Sequence, residues 1–229
     1  MSPTLHIGLL LLPGYQWLDA AGSVDYFNNH SRPMIARLGV PDDVLDKAPI
    51  MVWHYISSDL TTPIETTSGP RELPSCTYAD CPPLDYLFVP GPDPGAELPK
   101  GCAEFLCERV PKLEALLTVC TGSMAIAQAG VLDGFCVCSN KMALKSFAKQ
   151  GKLNKKVTWV GDRRWIKDRN VWSSAGITSG IDLSAEFARR QFDPEVVKLA
   201  KLVSEHEPLP DKPDPFAKIL DGIDLNERC

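Results

Sequence analysis

One residue in this sequence has the setting of a nucleophile. The apolar run Leu116-Leu117-Thr118-Val119 stops at Cys120, and Thr121-Gly122-Ser123 precede a helix pattern of small residues. A buried strand that breaks into a tight turn and a helix lifts the turn residue to the rim of a parallel sheet. A thiol there lies over the first free N–H groups of the helix, and these, with the helix dipole, favour a thiolate. The plain alternative is an inert thiol used as a small apolar residue. A thiolate that turns over needs a proton carrier. Asp19, in the first turn of the first helix pattern, is the candidate; otherwise it is an acid that stabilises a helix terminus. Thr121 is a site hydroxyl or a turn residue. Gly91, Gly176 and Ile177 follow two other apolar runs, where they could border an oxyanion or substrate pocket; their simpler reading is turn geometry.

The elements that must position these residues alternate between strand and helix. Leu5 to Leu12 is continuously apolar, as in a strand buried on both faces. Trp17, Leu18, Ala20, Ala21, Val24 and Phe27 share one face of a helix to about Asn28. Residues 30 to 48 read as a loop. Ile50 to Ser57, Leu84 to Val89, Leu113 to Val119 and Val171 to Ser174 read as further strands. The pieces around Trp159 and Trp165 flank a turn at Gly161-Asp162-Arg163. Helices are predicted over Ala103 to Val110, Ser123 to Ala129, Lys141 to Lys149, Ile181 to Gln191 and Pro194 to about Glu205. Thr178 and Ser179 are the expected caps of the fourth, and Asp193 caps the fifth ahead of Pro194. This order predicts an α/β fold: a doubly wound, mostly parallel, flavodoxin-like sheet with helices on both sides. Residues 1–207 form that domain, and 208–229 are a proline-rich tail packed on it or extending it. In such sheets the site lies at the carboxyl ends of the strands.

Composition narrows the partners. The 229 residues carry a net charge of -5, which offers no basic footprint for nucleic acid. No apolar run approaches the roughly 18 residues of a membrane span. His6 to Leu12 lacks a basic leader and is broken by Pro13-Gly14, so it reads as a strand rather than a signal sequence, and the cytosol is the default compartment. Eight cysteines occur, at 76, 81, 102, 107, 120, 136, 138 and 229, but none forms C-x-x-C. That spacing argues against structural zinc, and most are expected to be reduced thiols. Cys136 and Cys138 alternate across a strand and cannot easily bond to each other. Asp182 reads as structural, and Trp159, Trp165 and Trp172 as core or interface.

Four ordered motifs carry a family resemblance. They are Leu12-Pro13-Gly14-Tyr15 with Leu18-Asp19; Leu84 to Gly91; Val119 to Ser123 with Ala129 to Gly134; and Ser174 to Asp182. Over about residues 5 to 200 the sequence resembles the ThiJ/PfpI proteins, which have the class I glutamine amidotransferase-like fold. Asp19, and Thr121 after the cysteine, make it most similar to the isocyanide hydratases. The resemblance implies that the Cys120 thiolate attacks the terminal carbon of an isocyanide. Asp19 would relay protons and activate water, and Thr121 would position these groups. The product would be an N-substituted formamide, made from a small-molecule substrate with no metal or organic cofactor, by a homodimer. Two departures stand out. Pro92 follows Gly91 where many relatives have a second glycine, which removes an N–H. Asn140 stands where many carry histidine, and asparagine cannot act as a base. Proteolysis and glutamine hydrolysis are therefore disfavoured. The remaining alternatives are a redox or stress sensor that oxidises Cys120 and a glyoxalase- or deglycase-like activity.

Overall fold

The computed structural model describes residues 2–69 and 71–225. Nine strands are described: β1 (Thr4–Leu10), β2 (Ile50–Ser57), β3 (Cys76–Thr77), β4 (Tyr86–Val89), β5 (Ala115–Thr118), β6 (Cys136–Cys138), β7 (Thr158–Val160), β8 (Trp165–Asp168) and β9 (Val171–Ser174). Seven form one sheet in the order β3-β2-β1-β4-β5-β9-β8. All neighbours in it are parallel except β8, which runs antiparallel to β9. The order reverses between β1 and β4, and a crevice at strand carboxyl ends belongs at such a switch point.

The central strands are apolar throughout because both faces are covered. Every residue of β4, β5 and β9 is buried. Alternate side chains then divide between two cores. Leu87, Val89 and Leu116 face one, with Leu106, Met124, Leu144 and Trp159. Tyr86, Phe88 and Leu117 face the other, with Phe27, Trp172 and Phe187. Phe27 is fully buried, its ring 5.5 Å from that of Phe88 and 5.6 Å from that of Phe187.

The helices are α1 (Trp17–Asn28), α2 (Arg32–Ala36), α3 (Asp42–Leu45), α4 (Cys102–Arg109), α5 (Gly122–Ile126), α6 (Lys141–Lys149), α7 (Thr178–Gln191) and α8 (Pro194–Ser204). α1 and α7 approach closely beside the nucleophile turn. A Cβ at Gly180 would lie 2.5 Å from Val119 Cγ1 and 2.8 Å from Ser23 Oγ, so a side chain there would wedge α7 off both. Asp19 stands one turn before Ser23 on α1.

Several expectations need correction. Residues 30–48 hold two short helices, α2 and α3, each too brief to show a period in the sequence. The two short strands flanking Gly161-Asp162-Arg163 are present as β7 and β8 and belong to different sheets. β7 pairs in parallel with β6 in a separate two-stranded sheet, while β8 joins the main sheet beside β9. α7 starts at Thr178 without a side-chain cap. Ser179 Oγ instead donates back to the Gly176 carbonyl at 2.6 Å. Asp193 does cap α8, accepting from the Glu195 N–H at 2.9 Å.

The tail packs on the domain. Leu220 and Leu225 enter the first core, and Asp214 forms an ion pair with Lys141 at 2.5 Å, with side chains 1% and 3% exposed. Asp182 is structural, as expected: it holds Arg164 at 2.5 Å and accepts from the Leu209 N–H at 3.0 Å. Cys76, Cys81, Cys102, Cys107, Cys120 and Cys138 are free thiols. Cys136 departs from the reduced pattern and is disulfide-bonded. Cys229 and the end of the tail lie outside the described residues. No described helix is long and apolar enough to cross a membrane.

Candidate active site

Cys120 follows β5 with φ +57, a left-handed backbone that costs a non-glycine residue about 1–2 kcal/mol. The surroundings fix that conformation. The Gly122 N–H closes the turn on the Val119 carbonyl at 2.9 Å, and Ser139 Oγ donates to the Cys120 carbonyl at 2.8 Å. Ser123 Oγ, from the first turn of α5, donates to the Cys138 carbonyl at 2.9 Å and ties the turn to the end of β6, just ahead of Ser139. Strain held this firmly is characteristic of functional turns. Neither serine stands out in the sequence, although Ser139 sits directly beside Asn140.

Asp19 comes to the same point from α1. It is 1% exposed, and its Oδ2 accepts the Gly91 N–H at 3.0 Å. Burial raises its carboxyl to about 7, while the Gly91 N–H and the Cys120 thiol pull it down. Oδ1 is buried without a well-formed hydrogen bond. The thiol responds in kind. Burial, and then the Asp19 charge, push Cys120 up to about 12, against the Thr121 N–H and the side chains of Asn140 and Thr121.

Burial and the Asp19 charge thus oppose the thiolate that a helix terminus favours. α5 has five residues and passes into a 3-10 turn at Ala127–Ala129, so its dipole is small. Cys120 is 7% exposed and faces a carboxylate. The pair therefore holds a proton that a helix terminus alone would have released.

Thr121 Oγ1 donates to the Pro92 carbonyl at 2.6 Å. Gly91 must be glycine here. A Cβ would lie 2.4 Å from Thr121 Oγ1, 2.7 Å from the Thr121 nitrogen and 2.9 Å from Asp19 Oδ2. Its N–H is given to Asp19, so what Gly91 brings to the border of the pocket is a close backbone approach. Pro92, next to it, has no N–H to offer.

Asn140 contributes more than its type promised. Its Oδ1 accepts the Ala143 N–H at 3.1 Å and caps α6. That bond fixes the orientation of the amide and leaves Nδ2 as the group that meets Cys120. The amide thus donates toward the sulfur in any protonation state, where a histidine would titrate. Gly176 borders it: a Cβ there would lie 3.5 Å from Asn140 Nδ2. A cleft of about 300 Å³ opens on Asn140, Gly176 and Ile177. Ile177 lines that cleft with Gly176. The structure therefore gathers Cys120, Asp19, Thr121 and Gly91 beyond the ends of β1, β4 and β5, joined by Asn140 from beyond β6, with Gly176 and Ile177 on the adjoining cleft. Among the described residues no group of three or more His, Cys, Asp or Glu side chains is arranged to hold a metal ion.

Known proteins share this architecture. An isonitrile hydratase of Pseudomonas putida is 29% identical over 208 residues, which are 90% of this chain and 80% of that protein. An HTH-type transcriptional regulator, GbdR of Pseudomonas aeruginosa, is 23% identical over 201 residues, but the match spans 47% of its length. A ThiJ/PfpI family protein from Pseudomonas syringae superposes with a TM-score of 0.70 at 23% identity, over 91% of this chain and 78% of that one. Drosophila melanogaster DJ-1beta gives 0.66 at 15%, over 90% and 100%. The two structures share the fold. Residues 37–190, more than half of the chain, match the DJ-1/PfpI family model, and the chain belongs to the DJ-1/PfpI family.

Proposed function

We propose that this protein hydrates isocyanides to N-substituted formamides, with Cys120 as nucleophile and Asp19 as proton carrier. The observation that carries this reading is the buried Asp19 carboxyl, raised to about 7, set against the Cys120 thiol with Asn140 where a base could have stood. A carboxyl near neutrality can both accept and return a proton. In the first step Asp19 takes the thiol proton and the sulfur bonds to the terminal carbon of the isocyanide. The same proton passes from Asp19 to that carbon, which gives a thioimidate. Asp19 then removes one proton from water as the water oxygen adds to the thioimidate carbon, and passes that proton to the substrate nitrogen. The adduct hydroxyl gives up its remaining proton through Asp19 to the leaving sulfur as its oxygen forms the carbonyl, the C–S bond breaks, and the formamide leaves with the thiol restored. One water is consumed for each isocyanide.

Asn140 Nδ2 and the Thr121 N–H steady the sulfur while it carries charge, and the Thr121 hydroxyl, bound to Pro92, holds the turn. The isonitrile hydratase from P. putida is a relative over most of both chains, which supports the same chemistry here. A sensor reading would use the same thiol, since oxidation also needs the thiolate that burial opposes. A glyoxalase- or deglycase-like activity lacks a base at Asn140. The net charge of -5 favours no nucleic-acid partner, and the working form in this reading is a cytosolic homodimer. Purified protein is incubated with an alkyl isocyanide and formamide is followed. Formamide must form with the wild type and not with Cys120→Ala; turnover by the variant, or none by the wild type, refutes the proposal.

A further inference from the structure

We infer that the strap of residues 211–220 forms one wall of the substrate cleft and selects substrates by the size of an uncharged apolar substituent; this rests on the hydratase reading. Asn140, whose side chain meets Cys120, lines the cleft of about 300 Å³ together with Gly176, so a substituent that extends from Cys120 past Asn140 would enter it. From the domain, Met142 and Ile177 line it; from the strap, Phe216 and Ile219 do. Met142 and Phe216 are 63% and 57% exposed, a large apolar area to leave at a rim without an apolar ligand to cover it.

The charges around the cleft are spent on one another. Lys141 Nζ lies 2.5 Å from Asp214 and donates to the Arg163 carbonyl at 2.8 Å. Arg164 holds Asp182 through two nitrogens, at 3.0 and 2.5 Å. An ionic ligand would have to break one of these pairs, and an apolar one would not. The strap is anchored on both sides of Phe216: Arg163 Nη1 holds Asp211 at 2.8 Å, the Arg164 N–H donates to the Asp211 carbonyl at 2.8 Å, and Leu220 is buried in the core. A cavity of about 150 Å³ is enough to hold benzene. The volume here admits a ring with room to spare, so selection falls to the wall rather than to total space.

Alkylation of Cys120 tests the wall independently of hydration. Rates with iodoacetamide and with N-benzyl iodoacetamide are read by mass spectrometry of the Cys120 peptide. The benzyl-to-small ratio should fall about tenfold in Phe216→Ala and in Ile219→Ala, the range set by a lost apolar pocket contact. Leu202→Ala, an exposed position on α8, is the control for unrelated surface change. The kcat/KM ratio for cyclohexyl over methyl isocyanide should fall in parallel. Unchanged alkylation ratios in both strap variants overturn the inference. If the wild type hydrates no isocyanide, the hydratase reading fails by itself, and the alkylation ratios still decide whether the strap selects.

Discussion

Replacing Asp19 by asparagine should stabilise this protein at neutral pH and weaken it as an enzyme. The carboxyl ordinarily titrates at 3.8 and is raised to about 7 in the fold, chiefly by burial. A group that binds its proton more tightly when folded favours folding in acid. Its contribution is fully present below the unfolded value and is lost as pH rises through the folded one. Keeping that carboxyl ionised above neutrality costs the wild type roughly 4 kcal/mol, at about 1.4 kcal/mol for each tenfold change in proton affinity. Asparagine carries no charge to bury. Its oxygen can still accept the Gly91 N–H, and its NH2 falls where Oδ1 stands without a good partner. After allowing for a buried amide, a net gain of about 2 kcal/mol remains at pH near 8, vanishing toward pH near 4. Urea unfolding of both proteins across this range measures the difference directly. The same substitution removes the carboxylate that raises the Cys120 thiol, so alkylation of Cys120 should quicken while formamide production falls. A stability difference that stays constant with pH refutes the reasoning, because a lost contact has no reason to titrate.

Three other substitutions probe separate parts of the site. Gly91→Ala forces a Cβ to 2.4 Å from Thr121 Oγ1 and should cost about 2–4 kcal/mol in urea unfolding, from overpacking and the strained Thr121–Pro92 bond. Cys120→Gly should be more stable than Cys120→Ala by about 1 kcal/mol, because glycine adopts φ +57 freely; equal stabilities would remove strain from the account of the turn. Asp214→Ala leaves the Lys141 ammonium buried without its carboxylate and should cost about 3–5 kcal/mol, read as a lower urea midpoint.

The central strands were legible because burial on both faces makes them apolar without interruption, as at Leu84 to Val89 and Leu113 to Val119. The Cys120 turn was legible for a related reason: a fully buried strand that meets Thr-Gly-Ser has to turn there. The pairing of β6 with β7 was not. Three-residue strands joined across a helix carry no period, and the nearer partner, β8, has the stronger local claim. A helix terminus beside the thiol is visible in sequence, whereas the extent of its enclosure by residues from α1 and the β4 end is not. Asn140 was recognised for the histidine it replaces. Its cap on α6 and its approach to sulfur depend on which amide atom faces which way, and only the fold decides that.

The pairing of Asp214 with Lys141 sets an order on assembly. Translation delivers all nine strands, Cys120 and Asp19 well before residue 214. A nascent chain that has emerged as far as α8 can close its sheet, yet Lys141, the residue after the Asn140 cap, still has its ammonium without the carboxylate that makes its burial tolerable. The turn that presents the thiol and the wall over the cleft therefore mature together, late, when the strap docks. Until that moment the molecule has a nucleophile without a finished pocket, and the reactive centre is completed when the strap docks rather than when its own segment folds.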